Sequence, residues 1–202
     1  MLGTAVMAWQ TIKAGKVAVA GSTGSVLSRC LSGLRDLINS SLSEVRLDAG
    51  IARRERISLN QFEDEIAAAA NLQAEDRAIQ LTVQRADPEV AVTVDPQLLA
   101  SAVMNLLQNA FKFTRAHGLV KITTRAENGR VLIDVEDECG GLKQHEEDLF
   151  RPFGDRRMQN RSGLGLGLSI SRRAIQASGG DISTHDILGK GCVFTIDLPA
   201  AS

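Results

Sequence analysis

Long apolar runs, an excess of one charge and cysteine pairs are all missing from this sequence of 202 residues. Without a stretch of about 18 consecutive apolar residues, no segment reads as a transmembrane helix. The apolar opening from Met1 to Trp9 lacks the basic start and the length of a signal peptide. A formal net charge of −1 excludes nucleic-acid binding through a bulk electrostatic footprint. The three cysteines, Cys30, Cys139 and Cys192, lie far apart and form no CxxC pair, so isolated thiols in a reducing cytosol are expected. What is present is ordinary for a soluble globular protein. Hydrophobic residues make up 44% of the chain and charged residues 23%. The length suits one domain plus an extra element, and a cytoplasmic location follows.

Two regions separate on pattern. From Val26 to Leu47, Leu27, Leu31, Leu34, Ile38, Leu42 and Val45 recur at spacings of four, three, four, four and three. This predicts a helix with a coiled-coil-like seam, begun by the turn residues Gly21, Ser22, Thr23 and Gly24. Leu2, Val6, Trp9 and Ile12 suggest an earlier helical arm, so residues 1–50 read as a helical hairpin. After Gly50 the pattern changes, and residues 51–202 read as a separate domain. Arg56–Leu59 forms a short strand, and Asn60 with Glu63 makes a capping-box-like start for a helix to about Asp76. Ile79–Val83 and Val90–Val94 alternate as strands do, separated by a turn at Asp87-Pro88. Asp95 caps a long helix with Pro96 at its first position. Leu119–Glu127 and Arg130–Asp137 form a hairpin around Asn128-Gly129. A Gly-rich, charged stretch follows, then a helix from about Leu164 to Ala177 and two closing strands, Asp181–His185 and Cys192–Leu198. The order implies a two-layer α/β domain, a mostly antiparallel sheet with helices on one face.

Three elements carry chemistry. At roughly 100° per residue, Asn105, Asn109 and Lys112 share one face of the helix after Pro96, opposite Leu99, Val103, Leu107 and Ala110. A carboxamide oxygen is a hard ligand for magnesium and an ammonium neutralises phosphate. On this helix alone a solvated polar face fits equally well. Secondly, Asp137 ends a strand just before Gly140 and Gly141. A carboxylate there can accept a hydrogen bond from the amino group of adenine, although Asp-x-x-Gly-Gly is also an ordinary turn. Thirdly, Gly163, Gly165 and Gly167 alternate with leucines into a helix start, where free amides and the helix dipole favour an anionic phosphate. The three glycines suit a mobile lid. Arg156, Arg157 and Arg161 add positive charge just before it. A dinucleotide-binding fingerprint is disfavoured, because the repeat follows a polar loop and not a strand.

In this order the three elements resemble the ATP-binding superfamily of histidine kinases, DNA gyrase, a heat-shock chaperone and mismatch-repair ATPases. Asn105-Leu106-Leu107-Gln108-Asn109-Ala110-Phe111-Lys112-Phe113-Thr114 resembles the asparagine box of sensor histidine kinases. Asp137 to Leu142 resembles the first glycine box, with Cys139 where the commonest pattern has glycine. Leu149-Phe150-Arg151-Pro152-Phe153 resembles the phenylalanine box, and Gly163 to Leu168 the second glycine box. The resemblance covers about Arg56 to Pro199. It implies the histidine-kinase/gyrase ATPase type of α+β sandwich (the Bergerat fold), preceded by part of a dimerisation hairpin. It also implies that ATP and Mg2+ are the cofactors: Asn109 binds magnesium, Asn105 supports it near the phosphates, and Lys112 contacts phosphate. Asp137 reads adenine with Gly141 beside it. Gly163, Gly165, Leu166, Gly167 and Leu168 form the end of the lid, Arg161 adds charge there, and Phe150 and Phe153 anchor it. In the hydrolase branches a glutamate stands at the place of Asn105 and activates water. An asparagine cannot take that proton, so ATP is expected to be held for another nucleophile.

That nucleophile is not obvious among His117, His145 and His185, none of which precedes an acidic residue and an arginine on a helix. The resemblance places the histidine box just upstream of Met1, so the chain is expected to hold ATP without phosphorylating itself. It implies a response regulator as partner and a homodimer through the hairpin in the full-length protein. Two alternatives share the architecture, a non-catalytic phosphotransfer adaptor and a serine kinase of the anti-sigma type. Intact glycine boxes weigh against the first and the helix at Val26–Leu47 against the second.

Overall fold

The computed structural model describes residues 5, 9, 12, 22–142, 146–152 and 166–201. Its first long element is α1 (Ser22–Asp48), and Ala5, Trp9 and Ile12 before it are also helical. The turn expected at Gly21–Gly24 is absorbed in part, since α1 already runs through Thr23 and Gly24. Gly33 lies inside this helix. A glycine at such a position costs about 1 kcal/mol relative to alanine.

The domain that follows has β1 (Glu55–Ser58), α2 (Leu59–Glu75), β2 (Gln80–Gln84), β3 (Ala91–Val94) and α3 (Pro96–Phe113). Then come β4 (Leu119–Glu127), β5 (Arg130–Asp137), the one-turn α4 (Glu146–Leu149), α5 (Gly167–Gln176), β6 (Asp181–Ile187) and β7 (Gly191–Pro199). Local signals explain several boundaries. The Asp95 carboxylate accepts the N–H groups of Gln97 and Leu98 at 3.0 and 3.1 Å. These bonds satisfy donors that a helix start leaves unpaired. Asn128 and Gly129 both have positive φ, the left-handed pair that a tight β4–β5 hairpin requires.

The capping box expected at Asn60 and Glu63 does not form. Ser58 stands at the N-cap of α2 without a side-chain cap bond, and Glu63 is buried. Its carboxylate accepts the Ala86 N–H at 2.9 Å instead. A buried carboxylate must find a donor, and the β2–β3 connection brings one. The turn expected at Asp87-Pro88 forms, the Val90 N–H donating to the Asp87 carbonyl at 2.9 Å, but the strands it separates do not pair with each other. β2 joins a five-stranded sheet of order β2-β4-β5-β7-β6, while β3 pairs antiparallel with β1 in a separate ribbon. In the larger sheet only the β2–β4 pairing is parallel, and the rest are antiparallel, in line with the expected architecture.

Strand periodicity decides which residues meet the helices. Along β5, Val131, Ile133, Val135 and Asp137 are buried in alternation; opposite them on β7 stand Leu198, Ile196, Phe194 and Cys192. Leu99, Val103, Leu106, Leu107 and Ala110 of α3 pack into the same core. Asp137 therefore ends an apolar row and lies on the buried face, although it is a carboxylate. α1 reaches this domain through polar contacts: Ser43 with Ser101 at 3.1 Å, Arg46 with Asp95 at 3.5 Å, and Arg173 with Asp48 at 2.8 Å.

Candidate nucleotide site

The polar face of α3 begins at Asn105. Its carboxamide donates to the Ser171 hydroxyl of α5 at 3.0 Å, and its oxygen lies against Gly167. A Cβ at Gly167 would collide with that carboxamide and force Asn105 to move, so the glycine leaves room for its present position between α3 and α5. Gly167, expected as part of the lid, is thus the first residue of the helix that the lid leads into. Asn109 is partly exposed on the next turn, and its side chain makes no hydrogen bond to another described residue. Lys112 follows, its ammonium 4.9 Å from the centroid of the Phe113 ring.

Asp137 is 3% exposed at the end of β5. Its Oδ1 accepts the N–H of Cys139 at 3.0 Å and that of Cys192 at 3.3 Å, which fixes the carboxylate across two strands. Its Oδ2 has the Cys192 thiol at 3.5 Å. The thiols are free, in line with the expectation, but two of them are not isolated from each other. Cys139 and Cys192 are 53 residues apart in sequence, yet the β5–β7 register brings their sulfurs to 3.5 Å. Burial, and then the Asp137 carboxylate, push the Cys192 thiol far above its usual range; burial also raises Cys139, helped by its hydrogen bond to Asp137. Gly141 sits in the loop just beyond, with φ of 104° and its neighbour Leu142 donating to Asp186 at 2.9 Å.

Phe150 is buried in the core, and the Arg172 guanidinium lies 4.7 Å from its ring centroid. At that distance the cation is attracted to the face of the ring. Arg172 also donates to both oxygens of Asp181, each at 2.8 Å, and this keeps that carboxyl below its usual range. Such two-pronged, charge-assisted bonds are among the stronger ones in proteins. Arg172 thereby joins the phenylalanine box to α5 and β6. Leu166 is the N-cap of α5, its carbonyl accepting from Ser169 at 2.8 Å and Ile170 at 3.0 Å. Leu168 is buried in the core, so it secures the start of α5 from below. Arg161, Gly163 and Gly165 lie outside the described residues, as do Phe153 and His145. Ser171, Asp186 and Cys192 were not singled out as site residues from the sequence. Each reaches the site from an element placed there by tertiary pairing, and no local motif marks it.

The sheet order, the α3–α5 contact and the carboxylate at the end of β5 define a family. Residues 94–202 match the family described as histidine kinase-, DNA gyrase B- and HSP90-like ATPase, and the chain belongs to it. Among its relatives, a sensor histidine kinase (TmoS) of Ectopseudomonas mendocina is 30% identical over 182 residues, 86% of this chain and 18% of the relative. The sensor protein CutS of Streptomyces coelicolor is 31% identical over 169 residues, 81% of this chain and 40% of the relative. The chain thus spans well under half the length of both. The solved catalytic domain of the histidine kinase ThkA superposes with a TM-score of 0.64 at 26% identity, over 73% of this chain and 97% of that one. Full-length ShkA in complex with AMPPNP gives 0.71 at 26% identity, over 89% of this chain and 38% of that one. The domain is of the histidine-kinase catalytic type. Among the described residues no helix is long and apolar enough to cross a membrane.

Proposed function

We propose that this chain binds ATP with Mg2+ and serves as the catalytic domain of a protein-histidine kinase, delivering the γ-phosphate to a histidine outside residues 1–202. From there the phosphoryl group passes to an aspartate of a response regulator. The observation that carries the reading is Asn105. At the contact between α3 and α5 it offers a carboxamide, already donating to Ser171, where a hydrolase would need a carboxylate to take a proton from water. Phosphoryl transfer then depends on positioning and charge neutralisation.

The remaining residues fit that task. The Asn109 oxygen is a hard donor on a partly exposed turn with no hydrogen bond to a described residue, which suits a magnesium ion. Bound there with the phosphates, magnesium would neutralise their charge. Asn105 and Lys112 flank Asn109 on the same face, and the N-terminus of α5 directs backbone N–H groups toward phosphate. Asp137 Oδ1 is engaged by two backbone donors, and Oδ2 accepts the adenine amino group. Residues 1–50 contribute part of the dimerisation hairpin, with α1 offering both a seam for a second copy and a docking surface for the regulator.

The test is a binding titration with ATP and with inorganic triphosphate, each with and without Mg2+. Asn109→Ala should lower magnesium-dependent affinity for both by about tenfold or more, about 1.4 kcal/mol, with an unchanged circular dichroism spectrum. Asp137→Asn should weaken ATP alone. Unchanged ATP binding in Asn109→Ala sinks the magnesium assignment, and equal losses for both ligands in Asp137→Asn sink the adenine assignment.

A further inference from the structure

The two cysteines beside Asp137 have no part in the phosphate chemistry, yet their arrangement is specific. Asp137 and Cys192 are directly paired in the β5–β7 ladder on its buried face, and Cys139 follows two residues beyond the strand end. Their ligand atoms all lie within 4.8 Å of one another. The closest separations are 3.5 Å between the sulfurs and 3.5 Å from the Cys192 sulfur to either Asp137 oxygen. A tetrahedral zinc ion with Zn–S of about 2.3 Å and Zn–O of about 2.0–2.2 Å sets ligand-to-ligand edges of about 3.5–3.8 Å. The two edges through the Cys192 sulfur already have about that spacing, and the third, from Cys139 to Asp137, lies within 4.8 Å.

We propose that Asp137, Cys139 and Cys192 form a binding site for a soft divalent metal ion such as zinc, and that the ion and adenine compete for the Asp137 carboxylate. The second half rests on the reading of Asp137 as the adenine acceptor; the metal site does not. On binding, each thiol forms a sulfur–metal bond and loses its proton to water, so one zinc ion releases two protons. The carboxylate is held for this role by the Cys139 and Cys192 N–H groups, the kind of outer support that metal-ligating carboxylates use. Two of the ligands sit on paired strands, which fixes them before the metal arrives. Cys139 is the partly exposed member, the side from which an ion would reach the site. A redox disulfide accounts for the arrangement less well. It uses only the sulfurs, and the Cys192 thiol is 1% exposed. A thiol so deeply buried is a poor target for an oxidant.

The experiment uses the whole chain, stripped with chelator and kept in a phosphine reductant. Titration with Co2+ should raise a sulfur-to-metal charge-transfer band that saturates at one equivalent and disappears when Zn2+ displaces the cobalt. Cys139→Ser and Cys192→Ser should each remove the band, while Cys30→Ser keeps it. Should Cys192→Ser unfold, as circular dichroism would reveal, Cys139→Ser alone decides. At saturating Mg2+, one equivalent of Zn2+ should weaken ATP binding at least tenfold in the parent and leave Cys139→Ser unaffected. A missing band, or one that survives the Cys139 substitution, overturns the site. So does a Cys139–Cys192 disulfide found by mass in air-exposed protein whose reduced form binds no metal. Zinc binding without any change in ATP affinity overturns the competition. Failure of metal-free protein to bind ATP at all counts against the adenine reading and leaves the cobalt result to judge the metal site.

Discussion

Helices α1 and α3 both carry apolar stripes at helical spacing, and the fold treats them in opposite ways. In α3, Leu99, Leu106 and Leu107 are 0–1% exposed against the sheet. In α1, Leu31, Ile38, Leu42 and Val45 are 55–58% exposed. The stripe of α3 is wide, since Leu98, Ala102, Leu106 and Phe111 are buried beside the predicted line. That of α1 is narrower, the width expected of the seam proposed for pairing with another helix. A periodic pattern thus marks an apolar face, and burial shows which face the chain covers itself.

The largest effect that tests this contrast lies in α3, where Leu106 is fully buried. Leu106→Ala should destabilise the domain by about 2–5 kcal/mol, because the truncation leaves a cavity that close-packed neighbours only partly fill. Chemical denaturation measures it, and the shift should appear in the midpoint and not in the slope. A loss below about 1 kcal/mol would mean that the α3 face is packed more loosely than its burial indicates.

An intermediate effect belongs to Asp95, which serves both regions. It caps α3 through Gln97 and Leu98, accepts the Arg53 N–H at 2.9 Å and faces Arg46 of α1 at 3.5 Å. Asp95→Ala should cost about 1–2 kcal/mol in thermal or chemical unfolding. Asp95→Asn keeps the cap and loses the charge, so most of the stability should return. If Asn is as damaging as Ala, the ion pair to α1 dominates the cap, and the two regions are coupled more tightly than their few polar contacts imply.

Asp95 also marks where the sequence was most legible. Signals confined to a few neighbouring residues were read correctly, as at Asp95-Pro96 and at Asn128-Gly129, where the required backbone geometry is local. The apolar face of α3 followed from periodicity, and the place of Asp137 at a strand end followed from the strand pattern. Features set by partners distant in sequence were not legible. Glu63 looked like a cap residue until the β2–β3 connection offered the Ala86 N–H. Cys139 and Cys192 looked isolated until the β5–β7 register placed them side by side. The Asn105–Ser171 bond and the close approach at Gly167 depend on how α5 docks, which no spacing in the chain encodes. The asparagine and glycine boxes were found because each keeps its chemistry within one short segment.

The smallest effect on the single chain should come from the exposed seam. Ile38→Ser with Leu42→Ser removes two apolar side chains that are each 57% exposed. At concentrations where the chain is monomeric, the unfolding midpoint should move by no more than about 0.5 kcal/mol per site, the usual range for surface substitutions. Dimerisation is the property that should respond. If α1 pairs with a second copy, sedimentation at rising concentration should show a dimer in the parent, and the double substitution should shift its dissociation to higher concentration. The shift reflects apolar area that no longer leaves water on association, about 25 cal/mol for each Å². A clear loss of monomer stability would instead show that the seam packs within one chain. The contrast between α1 and α3 would then be one of degree, and the proposed dimerisation role of α1 would lose its physical basis.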